Sequence, residues 1–159
     1  MENIIKVLNN DIEKCKQSLE SNNLLEISIS IEEMIDKYKK DEKNLIDLEK
    51  SNVWQYNKDD LKSVIDILEN LKVNYMNEYK INCIREGFDS FKINLELNKE
   101  ISEDKKAQDL EILNELEDIA NYSIDDYIKW ENIKKYIEYI VKQDFLIGSE
   151  LLKLVALMF

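Results

Sequence analysis

The chain has 159 residues, with 34 acidic and 22 basic side chains, a net charge of −12 and no histidine. This length indicates one domain with a hydrophobic core of its own. Without histidine the chain cannot form a Ser-His-Asp or Cys-His nucleophile system, an HExxH zinc site or a Glu-x-x-His di-iron site.

The scarcity of helix-breaking residues predicts an all-α protein. Proline is absent and glycine occurs only at positions 87 and 148, so little interrupts long helices. We predict an antiparallel helical bundle, or stacked helical hairpins, of about six helices with the C-terminal helix at the centre. Residues 1–159 are expected to form a single domain, with 1–100 and 101–159 as possible sub-units.

The first two predicted helices cover residues 3–20 and 24–50, with a break at 21–23. Apolar residues recur at helical spacing in both. The stretch "EISISI" alternates as a strand would, but it lies inside a helical pattern and is therefore predicted to be helical. A kink is expected near Lys40.

The segment "SNVWQYN" connects the second helix to the third. Asn57 is predicted to cap the third helix, with Asp60 as an acidic partner three residues later. The third helix is expected to run through Leu61 toward Gly87. The stretch "FKINLEL", residues 91–97, alternates apolar and polar residues, so the pattern leaves helix and strand open.

Three further helices are predicted, capped by Ser102, Ser123 and Asp144. The last one is "FLIGSELLKLVALMF", residues 145–159, in which eleven of fifteen residues are apolar. It is shorter than the roughly 20 residues that a membrane span needs, and it lacks the basic face of an interfacial helix. We therefore predict a central helix that protein covers on all sides. The alternative is a helix shared between two subunits of a homodimer.

The two cysteines lie far apart and form no CxxC pair. A thiol-rich metal site or a dithiol redox motif is therefore not expected, and Cys15 and Cys83 are predicted to be buried and reduced. The N-terminal residues carry charges and no apolar signal segment. A cytoplasmic location is expected.

Acidic residues are concentrated in one part of the chain. Residues 101–127 contain nine acidic and two basic side chains, a net charge of −7. On the fourth helix, four carboxylates share one face, opposite the apolar face and with no lysine among them: Asp104, Glu111, Glu115 and Asp118. This face is either a solvated surface that aids solubility or a docking surface for a basic protein partner.

Trp54 and Tyr56 form a second candidate surface. They lie in an interhelical connection, and Trp and Tyr are favoured anchors of protein interfaces. The alternative is that both side chains fold down onto the helices and close the core.

A carboxylate-only magnesium site is the remaining catalytic hypothesis. The spacings Glu33-x-x-Asp36 and Asp66-x-x-Glu69 are similar to the paired acidic motifs of all-α nucleotide pyrophosphohydrolases. The residue types differ from those motifs, and the first pair faces away from the predicted core. The basic pairs Lys39-Lys40 and Lys134-Lys135 are isolated among acids, so direct nucleic-acid binding is not expected.

These features favour a non-catalytic, acidic, helical binding protein without metal or cofactor that docks on a protein partner. An inhibitor or immunity-type protein, or an anti-defence protein in phage–host conflict, would act on a basic nuclease or effector in this way. One alternative is a self-associating adaptor or scaffold subunit that uses the apolar C-terminal helix. The other is a magnesium-dependent nucleotide hydrolase.

Overall fold

A computed structural model of the chain describes residues 2–122 and 125–159. Those residues form six α-helices and two short 3₁₀ helices, with no strand among them, which confirms the all-α prediction. The α-helices are α1 (Glu2–Ser21), α2 (Leu24–Tyr38), α3 (Lys58–Leu97), α4 (Glu103–Asn121), α5 (Asp126–Val141) and α6 (Phe145–Leu157). The 3₁₀ helices, Lys43–Leu48 and Val53–Gln55, lie between α2 and α3. No described helix is both long and apolar enough to cross a lipid bilayer.

The chain divides into two compact units, the first ending at Tyr79 and the second beginning at Lys80. The boundary lies inside α3, which contributes residues to both units. Each unit has a separate hydrophobic core, one formed by residues between 8 and 71 and the other by residues between 84 and 158. The single domain expected from the chain length stays a prediction.

In the first unit, α1 and α2 pack as a helical hairpin. Asn22 adopts a left-handed conformation at the turn (φ 56°), and the Asn23 side chain accepts a hydrogen bond from the Leu25 N–H at 3.0 Å. Across the hairpin, the hydroxyls of Ser18 and Ser30 lie 2.7 Å apart. The "EISISI" stretch is helical, as its surroundings predicted.

The second helix ends earlier than predicted. It stops at Tyr38, and no helix continues to residue 50 with a kink near Lys40. The backbone N–H groups of Asp41 and Glu42 both donate to the Tyr38 carbonyl at 2.9 Å, which closes the helix. Residues 39–42 are all charged, so another helical turn would bury no apolar side chain.

α3 is longer than predicted, because it passes through Gly87 and ends only at Leu97. Residues 91–97 are therefore helical. Phe91 and Leu95, four residues apart, are buried in the core of the second unit, while Ile93 between them is 55% exposed. An exposed isoleucine produces the alternating pattern that resembles a strand.

The predicted caps are present wherever the structure describes them. Asn57 Oδ1 accepts the Asp59 N–H at 2.7 Å, and Asp60 Oδ2 accepts the Asn57 N–H at 3.0 Å, a reciprocal arrangement. Ser102 caps α4 and Asp144 caps α6. Ser123, the predicted cap of the fifth helix, lies outside the described residues.

α6 is covered on one face only, so the prediction that protein surrounds this helix is wrong. Its inner face is buried, whereas Phe145 is 86% and Leu146 is 74% exposed. α3 approaches at Gly87, where a Cβ would lie 3.0 Å from Leu154 Cδ2. α5 approaches at Gly148, where a Cβ would lie 3.0 Å from the Ile140 carbonyl oxygen. Within the described residues, no further element covers the remaining face.

The cysteines are unpaired in the structure, as predicted. Cys15 is fully buried in the first unit, whereas Cys83 is only half-buried, so the prediction that both are buried is wrong for Cys83. Burial raises the pKa of the Cys15 thiol to about 11, since the charged thiolate is disfavoured away from water. Cys15 is therefore unreactive near neutral pH.

The two glycines give a matched test of the α6 packing. We expect Gly148→Ala to lower the free energy of unfolding of the second unit by about 1–3 kcal/mol, because the new methyl meets a backbone carbonyl. Gly87→Ala meets only the ends of two leucine side chains, which can rotate, so it should change stability by less than about 1 kcal/mol. Trp130 fluorescence during urea unfolding, in a Trp54→Phe background, reports this unit. Equal effects of the two substitutions would contradict the packing described.

Candidate interaction surfaces

The four predicted carboxylates of α4 form one exposed surface, hereafter the α4 acidic face: Asp104, Glu111, Glu115 and Asp118. The lysines of the same helix are engaged with other acids. Lys105 Nζ lies 2.8 Å from Asp109, and Lys106 Nζ lies 2.9 Å from Glu103. Within the described residues, no member of the α4 acidic face forms an ion pair within 4.0 Å. The face is therefore a patch of negative charge without a direct ion pair among the described residues, with Lys135 near its Glu115 end.

Glu115 ties the edge of the α4 acidic face to α5. Its carboxylate accepts a hydrogen bond from the Tyr136 hydroxyl, and Lys135 Nζ lies 4.5 Å from the centre of the Tyr136 ring. Burial of the Tyr136 side chain is the largest cause that raises its pKa, and the hydrogen bond to the Glu115 carboxylate raises it further. Glu115 consequently has a structural contact that Glu111 and Asp118 lack.

A buried carboxylate lies on the opposite side of α4. Asp109 is 1% exposed, and its Oδ1 accepts hydrogen bonds from Lys105 Nζ at 2.8 Å and from the Tyr139 hydroxyl. Burial of the Tyr139 side chain is the largest cause that raises its pKa, and the hydrogen bond to Asp109 raises it further. The Oδ2 atom of Asp109 is buried and has no hydrogen-bond partner among the described residues.

Asp109 was not predicted from the sequence. Its position could have indicated a buried carboxylate, because Asp109 lies on the apolar side of α4, four residues after Lys105. Because a buried carboxylate is stable only when it is paired, this contact fixes α4 against α5. The acidic face is thereby held toward solvent.

The structure separates the two aromatic residues of the second candidate surface. Trp54 is 71% exposed on the short helix Val53–Gln55. Tyr56 is buried in the core of the first unit, and its hydroxyl accepts the Lys50 N–H at 3.0 Å. Only Trp54 is available to a partner, while Tyr56 closes the core as the alternative interpretation described.

A third surface, on α6, is exposed although the sequence predicted that protein would cover it. Along the uncovered side of α6 lie four uncharged residues, hereafter the α6 outer stripe: Phe145, Ser149, Leu152 and Ala156. Leu152 is 46% exposed, and Leu146 borders the stripe. Large apolar side chains in contact with water are unfavourable unless another molecule covers them.

The acids of the hydrolase hypothesis pair mainly with lysines on the surface of the first unit. Glu33 lies 2.5 Å from Lys14, and Glu69 lies 2.7 Å from Lys16. Asp36 likewise lies 2.7 Å from Lys39. Among residues 2–122 and 125–159, no group of three or more acids or cysteines is placed to hold a metal ion.

Comparisons with protein-family models, with characterised proteins and with solved structures found no match to this chain. No relative therefore suggests a function for it. Its function has to be inferred from the exposed side chains themselves.

We expect the free energy of unfolding to fall as the pH rises above about 10. Tyr136 and Tyr139 have raised pKa values in the folded chain, whereas an unfolded tyrosine loses its proton near pH 10. Between pH 10 and the raised pKa values of the folded chain, the unfolded chain binds fewer protons. The stability that these two tyrosines contribute is therefore complete below about pH 10 and is lost above it.

Urea unfolding at pH 8 to about 11 measures this slope. The double variant Tyr136→Phe with Tyr139→Phe should show a shallower loss, since two of the titrating phenols are gone. An unchanged slope in that variant would show that other groups cause the loss.

Proposed function

We propose that the protein is a non-catalytic binding protein that docks on a basic protein partner through the α4 acidic face. The observation that supports this is the set of four exposed carboxylates without ion pairs. Like charges three or four residues apart, such as Glu111 and Glu115, cost a helix about 0.2–0.5 kcal/mol per pair. A basic partner would relieve that repulsion.

The electrostatics of such a surface determine the kind of partner. A concentrated negative patch accelerates encounter with a positively charged protein and disfavours other partners, more than it adds affinity. Enzymes and effectors that act on nucleic acids carry basic surfaces that are complementary to such a negative patch. We therefore propose an inhibitor or immunity-type role, or an anti-defence role, against a basic nuclease or effector in the cytosol.

Charge reversal on α4 tests this proposal. Glu111→Lys combined with Asp118→Lys should abolish capture of the partner, because both side chains are exposed and neither is paired. Glu115 is left intact because it accepts the Tyr136 hydroxyl. The matched control is Glu20→Lys combined with Asp66→Lys, two exposed acids of the first unit that give the same change in net charge.

The measurement is affinity capture from a lysate of the source cells, with identification by mass spectrometry at low and high salt. We expect a basic protein whose capture weakens as salt rises, and which is lost with the α4 variant but kept with the control. Equal capture by both variants would rule out the α4 acidic face as the contact.

Self-association is a second candidate function, and the exposed α6 outer stripe is the observation that favours it. Phe145 is the most exposed of the large apolar side chains in the described residues. An adaptor or scaffold subunit would cover this surface with a copy of itself.

A further inference from the structure

A cleft that is open to solvent lies in the first unit, among residues from the beginning of α1, the end of α2 and the middle of α3. Its volume is about 360 Å³, within the range of roughly 300–1,000 Å³ that small-molecule sites occupy. An apolar cavity of roughly 150 Å³ already holds benzene, so this cleft has room for a ring and a short arm. Six of its lining residues define the site, hereafter the Tyr75 cleft: Ile4, Val7, Lys37, Tyr38, Asp41 and Tyr75.

The α1 side of the Tyr75 cleft is apolar. Ile4 and Val7 lie three residues apart, on the same side of the helix, and are 47% and 40% exposed. Leu8, one turn after Ile4, is fully buried in the core of the first unit. The core face of α1 therefore ends where the cleft begins, and the cleft offers two aliphatic side chains to an apolar group.

Two tyrosines from different helices contribute the aromatic part of the lining. Tyr38 of α2 is 5% exposed, and Tyr75 of α3 packs partly buried against the same core. The Tyr38 hydroxyl donates a hydrogen bond to the Asp11 carboxylate. Among residues 2–122 and 125–159, the Tyr75 hydroxyl has no hydrogen-bond partner, so it is available to a bound molecule.

The charges at the cleft leave one carboxylate without a counter-ion. Lys37 Nζ lies 2.5 Å from Asp11 and 5.4 Å from the centre of the Tyr38 ring, so its charge is compensated. Asp41 forms no ion pair with any residue that the structure describes. Burial is the largest cause that raises the pKa of both Tyr38 and Tyr75, and the nearby Asp41 carboxylate adds to it. The negative charge of Asp41 therefore lies close to both phenols.

We propose that the Tyr75 cleft binds a small organic ammonium compound with an apolar or aromatic body. The Asp41 carboxylate and the Tyr75 hydroxyl oxygen both accept hydrogen bonds, so one ammonium group satisfies both. The electron-rich face of the Tyr75 ring attracts the same cation. The body of the ligand covers Ile4 and Val7. The site lies in the first unit and does not depend on the α4 acidic face or the α6 outer stripe, which belong to the second unit.

The same residues disfavour other classes of ligand. An anion would lie beside the charge of Asp41, and the lysine of the cleft is already paired with Asp11. The backbone N–H groups of Asp41 and Glu42 donate to the Tyr38 carbonyl at 2.9 Å, so they are not free to bind a phosphate. A neutral apolar compound covers the aliphatic side chains but brings no charge to Asp41. An ammonium compound matches both features.

Titration of the full chain with phenethylammonium, followed by calorimetry and by NMR amide shifts, tests this proposal. We expect one site, with the largest shifts in residues 3–8, 37–42 and 75. The neutral analogue phenethyl alcohol should bind at least about tenfold more weakly, and the anionic analogue hydrocinnamate more weakly still, because only the ammonium pairs with Asp41. No saturation below about 10 mM phenethylammonium would overturn the proposal. Binding of the alcohol or the carboxylate as tight as that of the ammonium would overturn it too.

Substitutions separate the charge of the cleft from its apolar wall. Asp41→Asn should weaken phenethylammonium binding about tenfold and leave phenethyl alcohol binding unchanged. The matched control Asp47→Asn removes an exposed acid of the same unit outside the cleft, and should change neither. Val7→Ala should weaken both compounds by a similar factor of about three to ten, because it shortens the wall that both contact. Equal effects of Asp41→Asn and Asp47→Asn would show that only the general charge of the protein attracts the cation, and would overturn the site.

Discussion

The close approach of α6 to its two neighbours is the contact on which the second unit depends. The chain has only two glycines, and both lie at this contact, Gly87 where α3 meets α6 and Gly148 where α6 meets α5. At Gly148 a side chain would meet a backbone carbonyl. The inner face of α6 is committed to the core by these approaches. The outer face remains uncovered because no other described element packs against it, and this leaves the apolar side chains of the α6 outer stripe exposed.

A second constraint determines where the charge lies. The buried Asp109 accepts hydrogen bonds from Lys105 and Tyr139, and this contact fixes the rotation of α4 against α5. With that side of the helix turned inward, Glu111 and Asp118 must face water. The buried Asp109 thus couples the fold to the proposed docking surface. The acidic face and the α6 outer stripe would serve different partners, one basic and the other a copy of the chain.

The features that could be predicted from the sequence are local ones. The helical class follows from the absence of proline and the helical spacing of apolar residues, and the caps at Asn57, Ser102 and Asp144 follow from side chains that bond to the nearest backbone. The exposure of the α4 carboxylates follows from helical phase. None of these inferences requires knowledge of which helices are neighbours.

The features that were missed depend on tertiary contacts. Continuation of α3 beyond Gly87 is decided by burial of Phe91 and Leu95 in the second core, and the sequence shows only an alternating pattern there. An apolar helix can be covered on all sides or on one, and composition does not distinguish these cases, so α6 was placed at the centre. Tyr56 and Trp54 are two residues apart, yet only the core contacts show which of them is buried.

The exposure of α6 can be measured residue by residue with single cysteine substitutions. In a Cys83→Ser background the buried Cys15, whose pKa is about 11, does not react near neutral pH. At dilute protein concentration we expect a thiol reagent to label Leu152→Cys and Ala156→Cys rapidly and Leu151→Cys and Leu154→Cys slowly. Slow labelling at all four positions would show a helix covered on every side, and rapid labelling at all four would show a helix that is not packed at all. Either result would contradict the one-sided packing of α6 from which the proposed self-association follows.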